Sequence, residues 1–172
     1  MSATLPQRGE IRWAAVPYAF AEPFRSPDWD GGIAFSDVVR RVRGQRDRIE
    51  AVVPLKVRPV LILHGWEHAA QESYAVLRTK RLEVLGEPHR RLVRAGADPG
   101  LVHLAGRYAG RERAVMVRGI ARIHASAVDT VSLGRISGAE LRAVGEGVAG
   151  ALDLDLDGLI ERCVEAALAD LA

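Results

Sequence analysis

The sequence is poor in the residues that build disulfides, thiolate metal sites and membrane spans. Its 172 residues include one cysteine, Cys163, which excludes an internal disulfide and a zinc site made of thiolates. Because Cys163 falls on the apolar face of a predicted helix, an inert buried thiol is the simplest interpretation. No apolar run approaches the ~20 residues of a membrane-spanning helix, and the N-terminus lacks the apolar segment of a signal peptide. These absences predict a cytoplasmic, single-domain protein without a membrane segment.

Lysine is also scarce, and charge is distributed unevenly along the chain. Only Lys56 and Lys80 are lysines, so 22 of the 24 basic residues are arginine. Residues 137–172 contain eight acids and two bases, a net charge of −6, which leaves +8 for the remaining residues. A basic body that faces a polyanion would explain this segregation, and arginine suits paired contacts to phosphate groups. A codon bias towards arginine explains the scarcity of lysine equally well.

Strand-like segments come first in the chain, and helix-like segments come last. Apolar runs and period-two alternation predict strands up to residue 123. The stretch 86–100 is rich in glycine and proline, which predicts a long loop with at most one helical turn. The predicted strands are 10–17, 59–63, 74–77, 101–104, 114–117 and 120–123, the last two joined or kinked at Gly119.

Helices are predicted after residue 136. Ser137-Gly138-Ala139-Glu140 fits a capping box, Ser-x-x-Glu, and apolar residues follow it at helical spacing. A further helix is predicted from about Asp155 to the C-terminus, and a short one at 36–44. Strands followed by helices indicate an α+β fold or a small barrel closed by helices. The expected organisation is one domain, 1–172, with a basic β-barrel body over 8–136, an insertion at 18–57 and C-terminal helices over 137–172.

Motifs of several common catalytic sites are absent. The chain has no Gly-x-x-x-x-Gly-Lys-Ser/Thr, His-Glu-x-x-His or Gly-x-Ser-x-Gly sequence. His64 and His68 are four residues apart, but Gly65 and the preceding strand disfavour the helix that would bring their imidazoles together. Neither a metal site nor a cofactor is therefore expected.

Several short motifs, none of them specific alone, occur in a fixed order along the chain. They are Arg8-Gly9-Glu10, Arg58-Pro59-Val60-Leu61, Thr79 at a strand end, Ile120-Ala121-Arg122-Ile123, Gly134-Arg135-Ile136-Ser137 and Leu152-Asp153-Leu154. As a collinear set they resemble the MazF/PemK family, the ribonuclease toxins of bacterial toxin–antitoxin pairs. The resemblance covers somewhat under half of the chain, over residues 7–17, 58–80 and 113–154.

The resemblance implies an SH3-like β-barrel of the MazF/PemK/CcdB type with C-terminal helices. It also implies a homodimer that cleaves single-stranded RNA without a metal ion and is neutralised by a cognate antitoxin protein. The active-site arginine and threonine of the family correspond to Arg58 and Thr79. An RNA 2′-OH can attack its own neighbouring phosphate, so a guanidinium and a hydroxyl that stabilise charge on the phosphorane would suffice. Further RNA contacts are expected from Arg8, Lys80, Arg81, Arg118 and Arg122.

These residues also have simpler interpretations. Arg58 is explained equally by a surface arginine at a strand start, and Thr79 by an ordinary edge-strand threonine.

The insertion 18–57 mixes seven cations with five aromatic side chains, which is typical of grooves that bind single-stranded nucleic acid. A lid whose aromatic side chains pack on the barrel would have the same composition. The acidic tail is either a solvated pair of helices or a mimic, in cis, of the acidic antitoxin segment.

Three functions are compatible with the sequence. The first is a divergent MazF/PemK-like endoribonuclease. The alternative is a catalytically inactive barrel of the same fold that acts as an RNA-binding or protein-interaction module. The missing Gly-x-Glu-Gln loop favours this alternative, as does Gly119, where the family has a side chain near the RNA groove. The third is an interaction module without a nucleic-acid function, which the modest net charge of +2 allows.

Overall fold

The computed structural model describes residues 5–17, 55–65 and 72–154. The chain divides into two compact units, one made of Met1–Ala14 and Arg58–Ala172 and the other of Ala15–Val57. No helix in the described ranges is long and apolar enough to cross a membrane. The predictions for the helix at 36–44, most of the insertion 18–57, His68, Cys163 and the helix after Asp155 lie outside the described residues.

Six strands form one sheet in the order β4-β5-β3-β2-β1-β6. The pairs β1–β6, β2–β3, β3–β5 and β4–β5 are antiparallel. With the two α-helices of the described residues, this architecture confirms the α+β prediction. The strands are β1 (Glu10–Pro17), β2 (Leu55–Ile62), β3 (Ser73–Arg81), β4 (Leu101–Tyr108), β5 (Arg111–His124) and β6 (Val128–Arg135).

The edges of this sheet are β4 and β6, and no backbone ladder joins them in the part of the chain that the structure describes. One side chain links them, because the Tyr108 hydroxyl of β4 donates to the backbone carbonyl of Arg135 in β6 at 3.4 Å. The main core lies between the sheet and the helix that follows β6. Its buried residues are Ile11, Leu61, Leu77, Leu104, Tyr108, Val115, Ile136 and Val144.

Three predicted elements differ from the observed ones. The two strands expected around Gly119 are one continuous strand, β5, although its pairing with β3 is broken near that glycine. The strand β6 was not expected, because its outward residues are polar or exposed and its Gly134 interrupts the apolar pattern. The stretch 86–100 contains a full helix, α1 (Glu87–Arg94), and not a single turn.

Helix α1 forms because local signals outweigh the glycine and proline around it. Pro88 lies in its first turn, where no backbone hydrogen bond is lost, and Glu87 precedes Arg91 and Arg94 in the orientation that the helix dipole favours. The helix packs through Val93 on a second buried cluster. Arg94 also pairs with Glu112 of β5 at 2.7 Å. These contacts hold α1 beside the β4–β5 hairpin.

The second helix, α2 (Gly138–Ala151), begins with the predicted capping box. The Ser137 hydroxyl accepts from the Glu140 N–H at 3.2 Å, and the Glu140 carboxylate accepts from the Ser137 N–H at 2.7 Å. The other carboxylate oxygen of Glu140 accepts from the Ala105 N–H at 2.7 Å, which ties the helix to β4. Partial burial raises the pKa of Glu140, but these N–H donors outweigh it and lower that pKa. The capping-box prediction is therefore confirmed.

Candidate nucleic-acid interface

A break in the pairing of β3 with β5 marks the candidate site. Leu77 lies opposite Ile120, but Thr79 lies opposite Val115, so Arg78 alone corresponds to four residues of β5, 116–119. Extra residues of this kind bend a strand and redirect its side chains, and they are common beside functional sites.

An open groove of about 330 Å³ lies at this break. Three parts of the chain form it: the end of β3, the irregular stretch of β5, and helix α1 with the loop that follows it. The side chains that line it are mostly polar or cationic. Its lining residues are Arg78, Lys80, His89, Asp98, Gly100, Leu101, Met116, Arg118 and Gly119.

The guanidinium of Arg78 lies close against the backbone of Gly119. A β-carbon at that position would be 3.3 Å from Nε of Arg78 and 3.4 Å from its Nη2. Both distances are shorter than ordinary van der Waals contacts. A side chain at position 119 would therefore crowd the guanidinium, and glycine leaves room for it. The residue that departs from the family pattern is thus next to a cation that the sequence analysis did not select.

The three cations of the groove have no ion pair among the described residues. Arg78 and Lys80 are half-buried, Arg118 is exposed, and none of the three side chains forms a salt bridge there. Other cations near the groove are compensated, for example Arg94 by Glu112. Because the single carboxylate of the groove, that of Asp98, is paired with His89, the groove carries an excess of positive charge.

His89 and Asp98 form a short hydrogen bond within the groove. Nε2 of the imidazole lies 2.6 Å from Oδ2 of Asp98, and the other carboxylate oxygen accepts from the Gly100 N–H at 2.8 Å. Partial desolvation raises the pKa of Asp98, but the Gly100 N–H and the imidazole together lower it. Asp98 is therefore an ionised carboxylate at neutral pH, held between a helix and the start of β4.

Two of the five predicted RNA-binding cations, Lys80 and Arg118, lie together in this groove. Arg8, Arg81 and Arg122 are exposed residues outside its lining, and Arg81 lies 3.5 Å from Glu83. Arg78 and His89 also line the groove, although neither is among the predicted site residues. The sequence does contain a signal for Arg78. Side chains alternate between the two faces of a strand, so Arg78 lies on the same face of β3 as the predicted residue Lys80. His89 had no such signal, because it was assigned to a loop.

The two predicted catalytic residues lie in adjacent strands, but their side chains are in different surroundings. Thr79 is 5% exposed, and its hydroxyl donates to the Pro59 carbonyl at 2.8 Å and accepts from Nη1 of Arg113 at 3.3 Å. Arg58 is half-buried, and strand alternation places it on the face of Val60, whose partner in β3 is Arg78. Arg58 therefore shares a face with the groove cations, whereas Thr79 is directed into the core. Their catalytic roles stay predictions.

Replacing Thr79 with valine is expected to destabilise the protein. Valine keeps the shape of threonine but removes a donor to the Pro59 carbonyl and an acceptor from the buried guanidinium of Arg113. Leaving buried polar groups unpaired should lower the free energy of unfolding by about 1–3 kcal/mol. Urea unfolding measures this, with Thr79→Ser as the control that retains the hydroxyl. A valine variant as stable as the wild type would contradict this structural role.

His64, the described member of the histidine pair, is fully engaged with the backbone. Its Nε2 accepts from the Ala75 N–H at 3.0 Å, so Nδ1 carries the proton and donates to the Gly65 carbonyl at 3.0 Å. The ring also stacks on Tyr74, with 5.8 Å between the ring centres. Within residues 5–17, 55–65 and 72–154, no group of three or more His, Cys, Asp or Glu residues could hold a metal ion.

The fold and the groove define an α+β protein with a cationic, solvent-open groove at a break in its sheet. No family model and no curated protein matches the chain. Two similar solved structures are an endoribonuclease in complex with its cognate antitoxin and an endoribonuclease, both from mycobacterial species. Each is 13% identical to this chain. The first covers 87% of this chain and 96% of its own, with a TM-score of 0.48, and the second covers 90% and 98%, with a TM-score of 0.47.

Proposed function

We propose that the protein is a divergent MazF/PemK-like toxin, an endoribonuclease that cleaves single-stranded RNA without a metal ion. The observation that carries the proposal is the groove at the β3–β5 break, where Arg78, Lys80 and Arg118 have no ion pair among the described residues. Uncompensated cations along an open groove attract a polyanion and release its counterions on binding. The groove is open to solvent, as the binding of a flexible strand requires.

The chemistry requires few protein groups. The 2′-oxygen of a ribose attacks the adjacent phosphorus, and the bond from phosphorus to the 5′-oxygen breaks, which leaves a 2′,3′-cyclic phosphate and a 5′-hydroxyl. A guanidinium stabilises the charge that develops on the phosphorane through paired N–H donors. We assign this role to Arg58 of β2, which lies on the same face of the sheet as Arg78 of β3. Arg8, Arg81 and Arg122 would contact the strand beyond the groove.

The proposal extends to architecture and partners. We infer that the sheet is a variant of the SH3-like barrel of the MazF/PemK/CcdB type, within a single domain over 1–172 that contains the insertion 18–57. The close approach of β4 and β6 through Tyr108 and Arg135 supports this inference. We further propose a cytoplasmic homodimer whose basic groove is occupied and blocked by a cognate antitoxin protein.

A catalytically inactive RNA-binding barrel is the second candidate. The observation that favours it is the burial of Thr79, whose hydroxyl is directed away from the groove and bound to a backbone carbonyl. Under this alternative the groove cations bind RNA, but no group completes the cleavage site.

The test is cleavage of a long unstructured RNA by the purified protein in the presence of EDTA. We expect cleavage with 5′-hydroxyl products, and we expect Arg58→Ala to reduce the single-turnover rate constant by about 10²–10³. Arg107→Ala is the matched control, because Arg107 is an exposed arginine of β4 outside the groove lining. Salt-dependent binding without cleavage would favour the second candidate. An equal loss in both variants would contradict the role of Arg58.

A further inference from the structure

The groove contains a hydrogen-bonded imidazole that the proposed cleavage mechanism does not yet use. His89 lines the groove, and its side chain is 44% exposed, so a ligand in the groove can reach it. Its Nε2 is bound to Asp98, while Nδ1 forms no hydrogen bond with any described residue. A partner on one ring nitrogen and a second nitrogen without one among the described residues make up the arrangement of an oriented general base.

Asp98 determines which nitrogen is available. Because Oδ2 of this carboxylate accepts a hydrogen bond from Nε2, the neutral imidazole carries its proton there and keeps the lone pair on Nδ1. Asp98 is itself held by the Gly100 N–H at 2.8 Å, and its side chain is only 15% exposed. The carboxylate is therefore the orienting group, and the imidazole is the more exposed member of the pair.

We propose that His89 is a catalytic general base for RNA cleavage in this groove and that Asp98 is its positioning residue. This inference rests on the proposed endoribonuclease function and adds a residue that no family motif supplied. It also assigns the proton removal to a residue other than Thr79, whose side chain is buried. Proton removal from the 2′-OH is assigned to the imidazole, and charge stabilisation to the arginines.

The step balances as follows. Nδ1 of His89 takes the proton of the ribose 2′-OH while the 2′-oxygen forms a bond to the adjacent phosphorus. The bond between phosphorus and the 5′-oxygen breaks, and the departing 5′-oxygen takes a proton from a water molecule. The imidazolium then returns its proton to solvent, so the enzyme is regenerated without a metal ion or a redox partner.

The groove places charges of both signs beside His89, namely the carboxylate of Asp98 and the cations Arg78, Lys80 and Arg118. Carboxylates elsewhere on α1 and β5 are already paired, as the Glu87 bridges to Arg90 and Arg91 and the Glu112 bridges to Arg94 and His103 show. The charged groups from the elements that line the groove with His89 are Arg78, Lys80, Arg118 and Asp98.

The experiment is the pH dependence of single-turnover cleavage for the wild type and His89→Gln. Glutamine can still donate to Asp98 but has no basic nitrogen. We expect the rate constant to fall by about 10²–10³, with RNA affinity changed less than about threefold. A general base acts only in its unprotonated form, so any acidic decline of the wild-type rate that the histidine causes should be absent from His89→Gln. His124→Asn is the control, because His124 is an exposed histidine of β5 outside the groove, and asparagine retains its capping acceptor.

Two further variants separate a chemical role from a structural one. Free imidazole should restore part of the activity of His89→Ala, which a merely structural histidine would not allow. Asp98→Asn should retain RNA binding but lower the single-turnover rate constant, because the imidazole loses the carboxylate that orients it. If the wild type cleaves RNA and His89→Gln cleaves it with the same rate and pH profile, the inference is wrong and the proposed function stands. If the wild type binds but never cleaves RNA, both are overturned.

Discussion

Replacing Arg78, Lys80 and Arg118 together with glutamine is expected to weaken binding of single-stranded RNA by about 100-fold at low salt. The estimate takes about 1 kcal/mol for each partly exposed phosphate contact. The reason is that these three cations lie in one groove whose single lining carboxylate, that of Asp98, is paired with His89. Because each phosphate contact with a single strand contributes about −0.7 to the slope of log K against log salt, the slope should become shallower by about 2.

The matched control for this triple variant removes three positive charges from elsewhere on the surface. Arg107, Arg111 and Arg142 are exposed and lie outside the groove lining, so their replacement by glutamine changes the net charge equally. Fluorescence anisotropy with a labelled RNA, measured across a salt series, compares the two variants. Equal losses of affinity would mean that the whole surface attracts RNA, and the groove would then have no special role. This experiment measures binding alone, so its result does not depend on catalysis.

Replacing Arg12 with methionine is expected to lower the free energy of unfolding by about 3–5 kcal/mol, the range for breaking a buried ion pair. The Arg12 side chain is 0% exposed, and its Nε lies 2.8 Å from a carboxylate oxygen of Glu10. Nη1 donates to the carbonyls of Thr130 at 2.8 Å and Asp129 at 3.1 Å. Methionine fills much of the same space but leaves the carboxylate and both carbonyls without these donors. Such a loss is a large fraction of the stability of an ordinary domain.

Urea unfolding of three variants tests whether the lower free energy of unfolding comes from the broken pair between Arg12 and Glu10. Glu10→Gln combined with Arg12→Met should recover part of the stability, because the double variant no longer buries an unpaired charge. Arg8→Met is the control from the same segment, since Arg8 is exposed, and it should change stability by less than about 0.5 kcal/mol. If Arg12→Met were as stable as Arg8→Met, the buried guanidinium would not hold β1 to β6 in solution.

Elements with a local cause could be predicted from the sequence. The start of α2 at Ser137 depends on two reciprocal hydrogen bonds within four residues, so the motif alone was sufficient. The strands β1 and β2 were also predicted from local patterns, β1 from alternating polar and apolar residues and part of β2 from an apolar run. The segment 86–100 departs from its predicted loop because the first-turn proline and the terminal charges that support α1 outweigh the surrounding glycine and proline.

Arg12 shows where the alternation rule fails. In a half-buried strand its position predicts a solvent-facing side chain, yet Ile11 and Arg12 are both buried. The register of β1 against β6 shifts twice, between Ile11 and Arg12 and again before Ala14. A shift in register changes which face a residue occupies, and the carbonyls that stabilise Arg12 come from a strand more than 100 residues away. No local pattern contains that information.

By itself, the sequence determined the α+β class, the uneven charge, the capped helix and the cationic segments that contain Lys80 and Arg118. Each of these follows from residue types and short spacings, which act through local hydrogen bonds and burial. The tertiary structure alone decided that Lys80 and Arg118 meet in one groove and that Arg78 lies over Gly119. It also placed His89 against Asp98 and buried Thr79. These outcomes depend on a broken strand register and on the packing of α1, which bring together residues distant in the chain.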